Sequence, residues 1–335
     1  MKKLILLISL NMFLATFSYC QNASKLRESA KSFANKGDYN NALLLLNRAF
    51  QLDPNDMEVI KDLSITQYMA GKISDAAATI KPLLDKEEAD VTVYQIASMV
   101  YKEMEDIKDL EKLYKKGLKK FPESGPLHYE YGEFLLAKKE NAEAIRIWEE
   151  GIELDPSYPG NYYHACKFYF YNRINLALAL MYSEIFINQE SLTNRTVEIK
   201  SQLLETYKLF FTDASVRKAT SNLPPFSAAV YATLEKQLPV AYNGITAETL
   251  TMIRTRFLLE WVTKNASLYP FKLFDQHQYL LREGMFEAYN QWLFGPVSNI
   301  VLYKQWTVNN PQKVSEFAEY QQNWVFKMPP GQYYK

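Results

Sequence analysis

The chain has 335 residues, 48% hydrophobic and 23% charged, with 24 Tyr and 19 Phe but 11 Gly and 14 Pro. Many large side chains and few breakers can fill a sizeable core and favour long helices over an all-β sandwich. Lys+Arg and Asp+Glu stand at 38 each, so no basic excess draws the protein to phosphate backbones, and nucleic acid is not an expected partner.

The first twenty residues read as an export segment. Lys2 and Lys3 supply a charged start, and Leu4 to Phe17 is an apolar stretch too short to span a bilayer. Ser18 and Cys20 occupy the −3 and −1 places of a cut before Gln21. The rival reading makes Cys20 a lipidated first residue, but Tyr19 stands where lipoprotein processing favours a small side chain. Membrane association is expected only if Cys20 is lipidated. If it leaves with the signal, Cys166 is the one cysteine remaining, so no internal disulfide forms. Cys166 falls among aromatics on a predicted helix, as a buried inert thiol would.

From residue 23 the chain repeats. Pro54, Pro122 and Pro156 share one 34-residue register, and Leu52-Asp53-Pro54 recurs as Leu154-Asp155-Pro156. The units run 23–56, 57–90, 91–124 and 125–158, with a degenerate fifth at 159–192. Each reads as helix, turn, helix. In the first, Leu26, Ala30 and Phe33 form one apolar stripe, Gly37-Asp38 breaks it, and Ala42, Leu46, Ala49 and Phe50 form the next. Small residues recur where paired helices must approach: Ala30, Ser64, Ser98, Gly132 and Cys166 in the first helices, Ala42, Ala76 and Ala144 in the second, then Ala49, Gly117 and Gly151.

These markers resemble the tetratricopeptide repeat family. The likeness rests on Ala42, Leu46, Ala49 and Pro54, on Leu63, Gly71, Ala76 and Ile80, on Tyr101, Tyr114, Gly117 and Pro122, and on Tyr131, Gly132, Ala144, Trp148, Gly151 and Pro156. It covers about 23–192, within a solenoid domain expected over 21–192, and implies an all-α fold, an α-solenoid whose concave groove is lined by the first helices. There are departures. Leu110 replaces a small residue, Pro82 falls inside a second helix, and Leu178 and Ile185 stand at small-residue places, which predicts a splayed fifth hairpin.

Beyond residue 192 the period is lost but helices continue. Val197, Leu203, Leu204, Tyr207 and Phe211 make one stripe, and Leu250, Ile253, Phe257, Leu258 and Trp261 another. Leu223-Pro224-Pro225, the Pro239–Gly244 region and Gly284 punctuate them. Residues 193–335 are therefore expected to form a helical C-terminal cap or companion domain with an extended tail at Pro329-Pro330-Gly331.

Little in the sequence suggests catalysis. His128, His164 and His277 are too scattered for a metal cluster, and the glycines make no phosphate-cradling loop. Glu184 and Glu260, beside aromatics, are the carboxylates suited to a raised pKa, though Arg256 four residues before Glu260 offers an ion pair. No cofactor, no metal and no enzymatic activity are expected.

Binding is the better prospect. The resemblance places Arg27, Lys31, Lys61, Tyr68, Gln95, Met99, Lys102, Tyr129, Glu133, Tyr163, Lys167, Phe170 and Tyr171 on the groove. This mixed basic and aromatic lining suits a protein or peptide partner, with cations meeting carboxylates and rings supplying apolar area. The family's carboxylate clamp, a lysine followed four residues on by asparagine, is absent, since Lys31 follows Arg27. The expectation is an exported scaffold or adaptor, periplasmic or surface-associated in a Gram-negative bacterium, binding protein segments. The alternative is a glycan- or small-ligand-binding envelope protein whose aromatics stack on sugar faces.

Overall fold

The computed structural model describes residues 22–218 and 222–334, and every regular element among them is helical. The export segment, with Ser18, Cys20 and the cut before Gln21, lies outside them. The chain divides into two compact units, Met1–Pro122 and Glu123–Lys335.

The first unit is three hairpins: α1 (22–34) with α2 (Tyr39–Leu52), α3 (Met57–Met69) with α4 (Ile73–Ile80), and α5 (Val91–Glu103) with α6 (Ile107–Lys120). Local chemistry starts most of them. The carboxylates of Asp38, Asp56, Asp90 and Asp106 accept from backbone N–H groups of the first turns of α2, α3, α5 and α6, satisfying donors that a helix start otherwise leaves orphaned. Ala30, Ala42, Ala49, Ser64 and Ala76 are wholly buried, so the helix axes close over side chains with almost no bulk. Leu43, Leu46 and Leu63 fill the space around Ala30 and Ala42.

Pro82 corrects the expected second helix of its unit. The α-helix stops at Ile80, and the chain continues as a 3₁₀ turn, Lys81–Asp85. Proline has no N–H to donate back along an α-helix and its ring crowds the preceding turn. Leu83 and Leu84 nonetheless stay buried.

One backbone feature carries the repeat more faithfully than any side chain. The residues between paired helices at 37, 71, 105, 139 and 173 all have positive φ, from 54° to 77°. Glycine, which takes this conformation freely, occupies the first two. Glu105, Lys139 and Arg173 occupy the others and bear the strain of a Cβ there.

The second unit opens with hairpins α7 (Gly125–Ala137) and α8 (Asn141–Leu154), then α9 (Pro159–Asn172) and α10 (Leu176–Gln189). Gly132 lies under Trp148, so that any Cβ there would collide with the indole, and Gly151 is pressed in the same way by His128 and Asn161. The predicted splaying of the fifth hairpin is not seen. Every residue of α10 from Leu176 to Ile187 is buried. Ala177, Ala179 and Ser183, near the positions where small residues were missed, are wholly buried and permit the close approach instead. Cys166 faces this interface, and burial pushes its thiol up to about 12, the inert state expected.

Around α10 pack α11 (Asn194–Thr212) and α13 (Pro225–Glu235). The remaining helices are α12 (Ala214–Lys218), α14 (Leu238–Ala241), α15 (Ala247–Lys264), α16 (Lys272–Arg282), α17 (Phe286–Ser298), α18 (Ile300–Asn309) and α19 (Pro311–Asn323). The expected stripes are buried except Val197, which faces outward. Thr193 and Thr246 cap α11 and α15 through reciprocal bonds with Thr196 and Thr249. Gly284, at φ 74°, turns α16 into α17. After α19 the tail runs largely extended and folds back: Phe326 and Met328 are buried, Gln332 accepts from the Lys272 N–H, and Tyr334 stacks on Phe226.

Candidate functional site

In the first unit three of the predicted basic residues, Arg27, Lys31 and Lys61, do not stand as open cations. Arg27 reaches across to α3, 2.5 Å from Asp62 and 2.8 Å from Glu58. Lys31 lies 3.6 Å from the same Asp62. Lys61 pairs with Glu58 on its own helix and, at 2.9 Å, with Asp90 at the start of α5. The result is one chain of alternating charge, joining Arg27, Lys31 and Lys61 through carboxylates that the sequence reading passed over. Burial alone would lower the Lys61 ammonium, but Glu58 and Asp90 outweigh it and raise its pKa. Lys61 in turn holds both carboxylates below their ordinary values. Tyr68 and Gln95 are half-buried, and Lys102 is exposed. The signal that could have revealed the pairing is positional: the carboxylates recur about one unit after the cations that they meet.

The second unit holds a different surface, built from α7, α9 and α11. Tyr129 packs its ring 5.2 Å from His164 and 5.9 Å from Tyr158. His164 stacks on Trp148 at 4.6 Å and 10°, while its Nε2 lies 3.2 Å from Glu133. The Trp148 N–H donates to the Tyr129 carbonyl at 3.3 Å, which fixes the indole beneath both rings. Beside them, Tyr163 donates its hydroxyl to Glu198, and Lys167 donates both to Glu198 at 2.6 Å and to the Tyr163 oxygen at 3.0 Å. Arg195 lies over the Tyr163 ring at 4.9 Å and is held by Glu190. Tyr171, two turns beyond Tyr163 on α9, is 69% exposed, with Phe170 at 5.2 Å.

Tyr129, Glu133, Tyr163 and Lys167 are thus brought together by direct or one-residue contacts, and Tyr171 continues their stripe. The residues missed are Trp148, Glu190, Arg195 and Glu198. Helix α11 explains the last two. It packs on α10 and α9 as the first helix of another unit would. Its cap Thr193, however, comes one residue later than the register of Asp56, Asp90 and Ser124 demands, so the period hides it. Burial raises the pKa of Tyr129, Tyr158 and Tyr163, so these phenols stay neutral donors. The face is rings bordered by carboxylates and cations already paired with one another.

The two carboxylates expected to have raised pKa values are both lowered. Glu184 is wholly buried, which by itself would raise it, but Arg254 and His277 outweigh burial and hold it at about 2. Its Oε1 also accepts from Tyr289, and Arg254 donates onward to Asn290. Glu260 is lowered by hydrogen bonds from Lys236 and Lys264, not by Arg256. Both are structural pairs; the Glu184 cluster has space around it for hardly one water.

Residues 34–98 match the tetratricopeptide repeat family. No curated protein matches the chain. Among solved structures, a thermophilic tetratricopeptide repeat protein of Thermus thermophilus is 20% identical, covering 54% of this chain and 99% of its own, with a TM-score of 0.43. A tetratricopeptide repeat protein of Parabacteroides merdae is 16% identical, covering 74% and 96% at 0.44. The pilF protein of Pseudomonas aeruginosa is 15% identical, covering 62% and 94% at 0.49.

Proposed function

We propose that this chain, which belongs to the tetratricopeptide repeat family, is an exported adaptor that holds a segment of another protein on the α7–α9–α11 face of its second unit. Proteins of this fold generally mediate protein interactions and are generally non-enzymatic scaffolds. The observation that carries the finer reading is the state of the charges and rings on the first helices. In the first unit Arg27 and Lys61 are committed to Glu58, Asp62 and Asp90. In the second, Tyr129, Tyr163 and Tyr171 present ring area, the first two held in place by Trp148, Lys167 and Arg195. Aromatic side chains fixed before binding lose little entropy on contact, which is why they dominate polypeptide interfaces. Export rests on the Lys2-Lys3 start, the short apolar run and the cut before Gln21.

Photo-crosslinking in the native envelope tests the face. A photoreactive residue in place of exposed Tyr171 should yield discrete polypeptide adducts, and the same residue at exposed Lys112 on α6 should not. Tyr129→Ala together with Tyr163→Ala should abolish the Tyr171 adducts. Equal adducts from both positions would sink the assignment. Intact mass of the same preparation should show a chain starting at Gln21, and a diacylglycerol on Cys20 would replace soluble export by anchoring.

A further inference from the structure

We propose that a second site, for one residue of a neutral saccharide, lies in the second unit between α16, α17, α19 and the end of α10. A cleft there, with about 40 Å³ of accessible space, is walled by Gln276, Tyr289, Trp292, Phe317, Tyr320 and Trp324, with the amides Asn188 and Gln321 at its sides. That space admits one hydroxyl-bearing arm, so the sugar ring itself would lie against the aromatic rim. The site is separate from the α7–α9–α11 face and does not depend on that reading.

Three observations select the ligand. First, Tyr279, Tyr320 and Trp324 are near-parallel, at 10°, 17° and 27° to one another, with centroids 5.8 to 6.4 Å apart. Three nearly equal spacings make a triangle and not a column, so the rings do not cover one another's faces; Tyr279 is 40% and Trp324 45% exposed, each with a cation over one face only. Such faces take the C–H face of a sugar ring.

Second, Gln276 is 5% exposed, and its amide is half satisfied. The Nε2 donates to Asn188 at 3.3 Å and to Tyr320 at 3.4 Å, which fixes the amide's orientation. The Oε1 has no partner among the described residues. A buried acceptor left alone is costly, and a ligand hydroxyl would satisfy it.

Third, among the described residues no wall of the cleft is charged. A quaternary ammonium would find rings but no carboxylate in these walls, and an acidic ligand no cation in them. Lys272 and Arg282 stand over Trp324 and Tyr279 at 5.5 and 5.7 Å without forming part of the walls. Rings, amides and two phenols without net charge match an uncharged polyol.

The test is an array of neutral hexose and N-acetylhexosamine oligosaccharides, with uronic-acid glycans beside them, probed with the chain from Gln21 onward. The best neutral binder is then titrated calorimetrically against variants. Trp324→Ala should weaken binding by about tenfold or more and Trp324→Tyr should retain most of it. Gln276→Leu should weaken it too; if that variant misfolds, the exposed Trp324 pair still decides. Tyr171→Ala should change nothing. Retention of no neutral glycan, retention of uronic-acid glycans alone, or titrations indifferent to Trp324→Ala would each overturn the proposal.

Discussion

Lys200, on α11, carries an amine that the fold buries with no counter-charge among the described residues. The residue is 9% exposed; its amine lies 3.6 Å from the Trp292 ring centroid and donates to the Trp292 carbonyl at 2.9 Å. Burial alone lowers its pKa from 10.5 to about 7. In the unfolded chain the amine keeps its proton up to the higher value; in the folded chain it gives the proton up near neutrality. Between those limits the unfolded state binds more protons, so stability rises with pH. Urea unfolding should show a gain of about 2 kcal/mol from this group between pH 7 and pH 9, and Lys200→Met should lack that gain while being the more stable at pH 7. Equal pH slopes in the two proteins would mean that the amine is charged in the fold.

At the scale of elements, the turns and the close approaches make opposite demands. Gly132 and Trp148 are complementary, so Gly132→Leu should overpack α7 against α8 by about 1–3 kcal/mol or more, read as a fall in Tm. Lys139 sits in the left-handed region with an exposed side chain, and Lys139→Gly should stabilise by up to about 1 kcal/mol. A destabilising Lys139→Gly would show that the side chain makes up for its strained place. The hairpins were legible because glycines, alanines and prolines mark backbone requirements that few other residues meet. The splayed fifth hairpin was misread because Ala177, Ala179 and Ser183 supply the same lack of bulk a place or two away from the marker positions. The ring-lined face proposed to bind was legible on α7 and α9 alone. Its α11 edge, with Arg195 and Glu198, was hidden by a one-residue slip, and the Arg27–Asp62 and Lys61–Asp90 pairs by the fact that spacing along a chain does not say which charges meet.

At the scale of the molecule, charge is balanced and the two units carry different surfaces. The first unit neutralises Arg27 and Lys61 internally, and the second holds both the ring-lined face and the uncharged cleft. The left-handed positions 37 and 71 have a further consequence, because they share both residue type and conformation, with φ of 77° and 73°. A chain with residues 38–71 excised would pass from Gly37 straight into Lys72 and α4 without any new backbone geometry. The gene could therefore have lost or gained hairpins by unequal crossing-over, and length is an evolvable property of this protein. The excised chain should fold, melting cooperatively with a smaller denaturant dependence in proportion to the surface lost. Arg27, deprived of Glu58 and Asp62, would face Thr92 and Ile96 one register on and become an open cation. Excising three residues fewer, so that α1 enters the next hairpin out of phase, should leave the first unit unfolded by circular dichroism.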